Sequence, residues 1–132
     1  MITKINHIGI AVSSIDQAAK VFAEVLGLKV ENIEVIADQK AKTAIIPVGE
    51  SKIELIESTD PAGTIAKYIE NRGEGLHHVA FEVTSIQEAL GEMVKNGVAL
   101  IDEKPRRGVE NSRIAFLHPK GTRRVLIELV ES

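Results

Sequence analysis

The sequence predicts an α+β fold of two tandem βαβββ modules. Three observations predict it. The chain contains an internal repeat, each copy opens on an alternating strand pattern, and each opening strand runs into an amphipathic helical stretch. Ile5-Asn6-His7-Ile8-Gly9-Ile10-Ala11-Val12-Ser13-Ser14-Ile15 lines up with Leu76-His77-His78-Val79-Ala80-Phe81-Glu82-Val83-Thr84-Ser85-Ile86 at an offset of 71 residues. Ala44-Ile45-Ile46 matches Ala115-Phe116-Leu117 at the same offset, and Ile53-Glu54-Leu55-Ile56-Glu57 matches Ile127-Glu128-Leu129-Val130-Glu131 at an offset of 74. Self-similarity of this kind marks repeated supersecondary units. The repeats span about 1–57 and 75–132, with a connector over 58–74.

In the first strand Ile8, Ile10 and Val12 share one face, and Ile5, His7, Gly9 and Ala11 the other, as strand alternation requires. The following helix carries Ile15, Ala18, Ala19, Phe22, Val25 and Leu26 at spacings of three and four, a stripe able to cover the Ile8 face. Ser13 before Asp16, and Ser85 before Glu88, read as N-caps. Gly27 and Gly97 read as helix stops. Asp60-Pro61 predicts the start of a short third helix through Ile65 and Ile69, ended at Gly73. Three strands complete each module, the last carrying Glu54 in one copy and Glu128 in the other.

Composition bounds the function. Apolar residues make up 44% and charged residues 27% of the 132 positions, which is ordinary for a soluble globular protein. The absence of cysteine excludes disulfides, thiolate ligands and thiol nucleophiles. No apolar run approaches the roughly 20 residues a membrane span needs, and the expected location is the cytoplasm. A net charge of −3 and an aromatic content of 3% argue against a nucleic-acid partner. Lys104 to Arg124 is a local exception, with seven basic residues against the one acid Glu110. It reads either as a solvated surface or as an attractor for an anionic ligand.

Parity places the polar residues. Val79, Phe81 and Val83 form the apolar set of the second copy's opening strand, so His78 stands opposite them beside Ala80, as His7 stands beside Gly9 and Ala11. In the closing strands Ile53 and Leu55, and Val125, Ile127 and Leu129, are the core sets, so Glu54 and Glu128 point the other way. Each copy thus offers one His and one Glu on the face away from its helix. A lone strand His is usually structural, but the same pair at equivalent places twice points to a metal site. Imidazole nitrogen and carboxylate oxygen suit Co²⁺, Zn²⁺, Ni²⁺ or Mn²⁺. Four such ligands on an octahedral ion leave two positions for water or substrate. His77 has the opposite parity and reads as packing or support for a ligand. His118 reads as structural.

The paired modules with His and Glu at these points resemble the vicinal oxygen chelate superfamily over essentially the whole chain. Within it, Gly75-Leu76-His77-His78-Val79-Ala80-Phe81-Glu82-Val83, Asn111-Ser112-Arg113-Ile114-Ala115-Phe116-Leu117-His118-Pro119-Lys120 and Val125-Leu126-Ile127-Glu128-Leu129 look like the methylmalonyl-CoA epimerase family. The resemblance implies one domain over 1–132, with a curved mixed sheet around a metal site and helices on the outer face. It implies metal ligands at His7, Glu54, His78 and Glu128, a position at Glu54 where this family often has Gln, and a homodimer. The implied reaction is epimerisation of (R)- and (S)-methylmalonyl-CoA. A proton leaves C2 and returns through an enolate whose charge the metal stabilises. Inversion needs a proton carrier on each face of that carbon. Glu128 is the family's candidate for one. Some members carry Glu in the third strand for the other, where Lys42 is the residue aligned here. The resemblance also gives the basic stretch a use. Arg106, Arg107, Lys120, Arg123 and Arg124 are expected to meet CoA phosphates, and Asn111, Ser112 and Arg113 the free carboxylate. The alternatives are a lactoylglutathione lyase, which isomerises around the same kind of metal site, and a non-enzymatic ligand-sequestering module of the same fold.

Overall fold

A computed structural model describes all residues, Met1 to Ser132. Eight strands form in chain order: β1 (Ile2–Ala11), β2 (Asn32–Ile36), β3 (Ala41–Val48), β4 (Ser51–Ser58), β5 (Gly75–Val83), β6 (Arg106–Arg107), β7 (Arg113–Leu117) and β8 (Ile127–Glu131). The helices are α1 (Ile15–Ala19, continued by a π-helical segment Lys20–Val25), α2 (Thr64–Arg72) and α3 (Ile86–Lys95). Both repeats therefore run strand, helix, three strands. The chain is α+β, and its sheet pairing is mixed: β5 and β8 are parallel, whereas β2–β3, β3–β4, β6–β7 and β7–β8 are antiparallel. No helix is long and apolar enough to cross a membrane.

Two compact units divide the chain, and they cut across the repeats. One comprises Ile8–His77, the other Met1–His7 with His78–Ser132. In the first, the strand order is β2-β3-β4 followed by the second part of β1. Ala44, Ile46 and Leu55 pack with Val12 and Ile15 on one face, against Ala18 and Phe22 of the helix. On the opposite face Ala11, Ala41 and Ile56 pack against Ile65, Tyr68 and Ile69 of α2. In the second unit the order is the first part of β1, then β5-β8-β7-β6. Ala115, Leu117, Leu129 and Val83 pack against Ile86, Ala89 and Leu90 of α3. Ala80, Ile114 and Val130, with Phe116, lie on the other face.

The two repeat helices are held at their starts in the same way. Ser14 Oγ accepts from the Gln17 amide at 3.2 Å, and Ser85 Oγ from Glu88 at 3.3 Å. Each first helical amide donates to a carboxylate on the last strand of its own repeat, Ile15 N to Glu57 at 2.7 Å and Ile86 N to Glu131 at 2.8 Å. An N-terminal amide and a carboxylate are the favourable pairing for a helix dipole. The cap of α1 is thus Ser14 and not Ser13, whose own amide donates to Glu74. Ser14 is also the repeat counterpart of Ser85.

Three local expectations are corrected. The α1 stripe does not extend to Val25 and Leu26, which are 76% and 59% exposed. The Leu26 amide reaches back to the Val21 carbonyl, five residues away, and this wider turn rotates the last residues off the core face. α2 begins at Thr64 because Asp60 accepts from the Ala62 amide and Gly63 N donates to the Asp60 carbonyl, making a turn before the helix. Val125 precedes β8 and is exposed; Thr122 Oγ1 bonds its carbonyl at 2.6 Å. Gly27 and Gly97 do close their helices, with φ of 75° and 76°.

Candidate metal centre

Small neighbours and strand parity build the centre. His7 ends the part of β1 that belongs to the second unit, His78 starts that unit's share of β5, and Glu128 sits in β8. Ala80 pairs with Glu128 across β5 and β8, and Phe116 pairs with Glu128 across β7 and β8. These residues lie on the face away from α3, as alternation from Leu129 requires. All three polar side chains are buried. Glu128 Oε1 lies 2.9 Å from His7 Nε2 and 3.1 Å from His78 Nε2, and the two Nε2 atoms are 3.0 Å apart. Phe116 packs edge-on against His78, with ring centroids 5.6 Å apart.

The proton positions follow from the outer contacts. Asn6 Nδ2 donates to Glu82 Oε1 at 2.9 Å, which leaves Asn6 Oδ1 facing His7 Nδ1 at 2.7 Å. An amide oxygen only accepts, so Nδ1 carries the hydrogen. A neutral His7 then presents a bare Nε2 lone pair to a carboxylate oxygen. Two acceptors at 2.9 Å in a buried site require positive charge between them, from a proton or a cation. Two imidazoles and a carboxylate converging on one point are the donor set of a divalent ion, so the residues present fit such an ion. Burial opposes charge on Glu128, but hydrogen bonds from His7 and His78 and the positive charge their protonated forms carry prevail and hold its pKa at about 2, against an ordinary 4.5. Protons on the imidazoles thus supply the positive charge the carboxylate needs, the part a bound cation would take over.

Glu54 lies on β4 in the other unit. It is buried, opposite Ile45 of β3, on the face of Ile56 and away from α1. Lys42 is on the other side of that sheet. It stands opposite Glu57 in the β3–β4 register and shares parity with Ala44 and Ile46, the core beneath α1. The residues of β3 on the Glu54 face are Ala41, Thr43 and Ile45. This removes Lys42 as a proton carrier there. Sequence reading missed Thr43, whose hydroxyl donates to the Glu34 carbonyl at 3.2 Å. The apolar parity of Ala44 and Ile46 was the signal that marked it.

The basic stretch divides in the same manner. Arg106 pairs with Ile114, and its guanidinium lies over the Phe116 ring at 5.7 Å with Asp102 at 3.3 Å. It is on the face of Glu128. Arg113 pairs with Glu131 across β7 and β8 and bonds its carboxylate at 3.3 Å, on the α3 face. Ser112 donates to the Val109 carbonyl at 2.8 Å. Arg113 is turned away from Glu128 and is corrected as a carboxylate holder, whereas Ser112 is buried and shares the parity of Ile114 and Phe116, on the face of Glu128. Arg107, Asn111, Lys120, Arg123 and Arg124 are exposed. His118 is exposed too, and its Nδ1 accepts from the Lys120 amide. His77 packs edge-on against Tyr68 at 4.7 Å, in the first unit.

A family model described as the glyoxalase/bleomycin resistance protein/dioxygenase superfamily matches residues 6–116. The chain belongs to this superfamily. An ethylmalonyl-CoA/methylmalonyl-CoA epimerase of Cereibacter sphaeroides is 30% identical, with 98% of each chain covered. A Bacillus subtilis protein, YqjC, described as uncharacterized, is 39% identical over 97% of this chain and 91% of its own length. A solved methylmalonyl-CoA epimerase in complex with methylmalonyl-CoA and NH₄⁺ superposes with a TM-score of 0.97 at 34% identity, covering 100% of this chain and 96% of that one. Within the superfamily the chain is a member of the epimerase family, and so an enzyme of the isomerase class. Its fold is the one the vicinal oxygen chelate resemblance implied.

Proposed function

We propose that the chain is a divalent-metal-dependent epimerase of methylmalonyl-CoA, with His7, Glu54, His78 and Glu128 as ligands. The observation that carries this is the convergence of two imidazole nitrogens and an ionised carboxylate oxygen in a buried place. Epimerase relatives supply the substrate class. Glu54 is included as the buried repeat counterpart of Glu128. It adds negative charge to the set, which favours tight metal binding. Co²⁺, Zn²⁺, Ni²⁺ and Mn²⁺ all suit these donors, and metal analysis of the purified protein distinguishes them.

A bound divalent ion supplies positive charge against which the thioester oxygen can accept electron density when C2 loses its proton. Glu128 is the proposed proton carrier on one face. Inversion requires a second carrier on the other. Ala41, Thr43 and Ile45 provide no base, so the second proton comes from elsewhere than β3. Arg106, expected from the sequence to meet a CoA phosphate, has its guanidinium over Phe116 on the face of Glu128, so it is proposed instead to meet the anionic part of the acyl group. Arg107, Lys120, Arg123 and Arg124 are proposed to meet CoA phosphates, and Asn111 and Ser112 to help hold the free carboxylate. A homodimer, one domain over 1–132 and a cytoplasmic location complete the proposal, with light scattering the check on the dimer.

The test is incubation with methylmalonyl-CoA and Co²⁺ in D₂O, following deuterium at C2 and chiral inversion. Both are expected. Neither appearing, while a glutathione hemithioacetal is isomerised, would overturn the reading in favour of a lactoylglutathione lyase.

A further inference from the structure

We propose that Asn6 and Glu82 are positioning residues that fix the tautomer and ring orientation of His7. The inference rests on the metal reading above only for its consequence, since the hydrogen-bond chain stands by itself. Asn6 is buried and comes directly before His7 in β1, so strand alternation points the two backbone-to-side-chain bonds to opposite faces. The Asn6 side chain nevertheless meets the His7 ring at 2.7 Å. Its other end meets Glu82 of β5, which is 76 residues away in sequence. Glu82 Oε1 also accepts from Ser132 Oγ at 2.9 Å.

Direction is the substance of the proposal. A carboxylate offers only acceptors, so Glu82 dictates that Asn6 turns its NH₂ outward and its oxygen toward His7. That oxygen requires a hydrogen on Nδ1. The lone pair of the neutral ring is thereby confined to Nε2, the atom 2.9 Å from Glu128 Oε1. Without the chain, the free imidazole would divide between two tautomers, one of which places a hydrogen where the donor lone pair is needed. An outer partner that fixes a ligand imidazole is commonly worth about 10–100-fold in metal affinity. In the second repeat the residue at the Asn6 position is His77, which packs on Tyr68.

Two readouts test it. Co²⁺ titration of metal-free protein is expected to show affinity falling about 10–100-fold in Asn6→Leu. Glu82→Leu should lose affinity too, and Glu82→Gln should recover most of it because the amide oxygen of Gln still accepts from Asn6. Nitrogen NMR of the His7 ring in metal-free protein, at a pH where the ring is neutral, should show the hydrogen on Nδ1 in the wild type and a mixture in Asn6→Leu. Circular dichroism verifies folding, and if Asn6→Leu does not fold the Glu82 pair carries the test. Unchanged Co²⁺ affinity together with an unchanged tautomer in the folded variants would overturn the proposal. Should the wild type bind no Co²⁺, the metal reading fails, and the tautomer measurement still decides this one: a hydrogen on Nε2 of wild-type His7 rejects it.

Discussion

Glu128 Oε1 lies 2.9 Å from His7 Nε2, an acceptor facing a nitrogen whose partner across the ring already holds the hydrogen. This contact makes the centre electrostatically incomplete without positive charge. Glu128→Ala is therefore expected to reduce Co²⁺ affinity by more than ~100-fold, beyond the effect typical of outer partners, and to abolish C2 exchange. Calorimetric titration checks it. Retained affinity would take Glu128 out of the ligand set.

Metal should also stabilise the fold. With Co²⁺ at about 100 times its dissociation constant, linkage gives roughly 2.7 kcal/mol, or several degrees in thermal midpoint for a chain of this size. Chelator should reverse the gain, and Glu128→Ala should not show it. A wild-type melting curve insensitive to both metal and chelator would contradict a site of this kind.

The carboxylates that close each repeat are expected to act on stability alone. Glu57 and Glu131 accept from the first amides of α1 and α3. Hydrogen bonds involving a charged group contribute about 1.5–3 kcal/mol, less where the carboxylate is partly solvated. Glu131→Ala and Glu57→Ala should each lower stability by about 1–2 kcal/mol in urea titrations, with Co²⁺ affinity unchanged. A large loss of affinity without a loss of stability would show that these residues serve the centre directly.

Gly108 leaves no room for a side chain. A Cβ there would lie 2.6 Å from Ile114 Cγ2 and 2.9 Å from Ser112 Oγ. Gly108→Ala should cost about 1–3 kcal/mol through overpacking, read as a lower urea midpoint.

Lys42 and Arg106 provide a contrast. Lys42 shares the α1 side of its sheet, so Lys42→Met should leave turnover within about twofold, a surface-type effect. Arg106→Met should raise KM for the acyl-CoA while metal affinity holds, because its guanidinium lies over Phe116 beside the centre. Turnover lost in Lys42→Met would restore it as a proton carrier.

The sequence alone determined the duplication, the order of elements in each copy and the face on which His7, His78, Glu54 and Glu128 stand. Those follow from local periodicity, which a strand or helix expresses in adjacent residues. The Lys42 assignment shows the limit of even that rule: a slip of one residue reverses the face, and the register opposite Glu57 reveals the slip. Only the tertiary structure decided that Ser14 and not Ser13 caps α1, that the helix widens before Val25, and that Arg113 turns to Glu131. It also decided the proton on His7. Asn6 meets Glu82 across two strands, and no pattern along the chain encodes which partner a side-chain amide will find after folding.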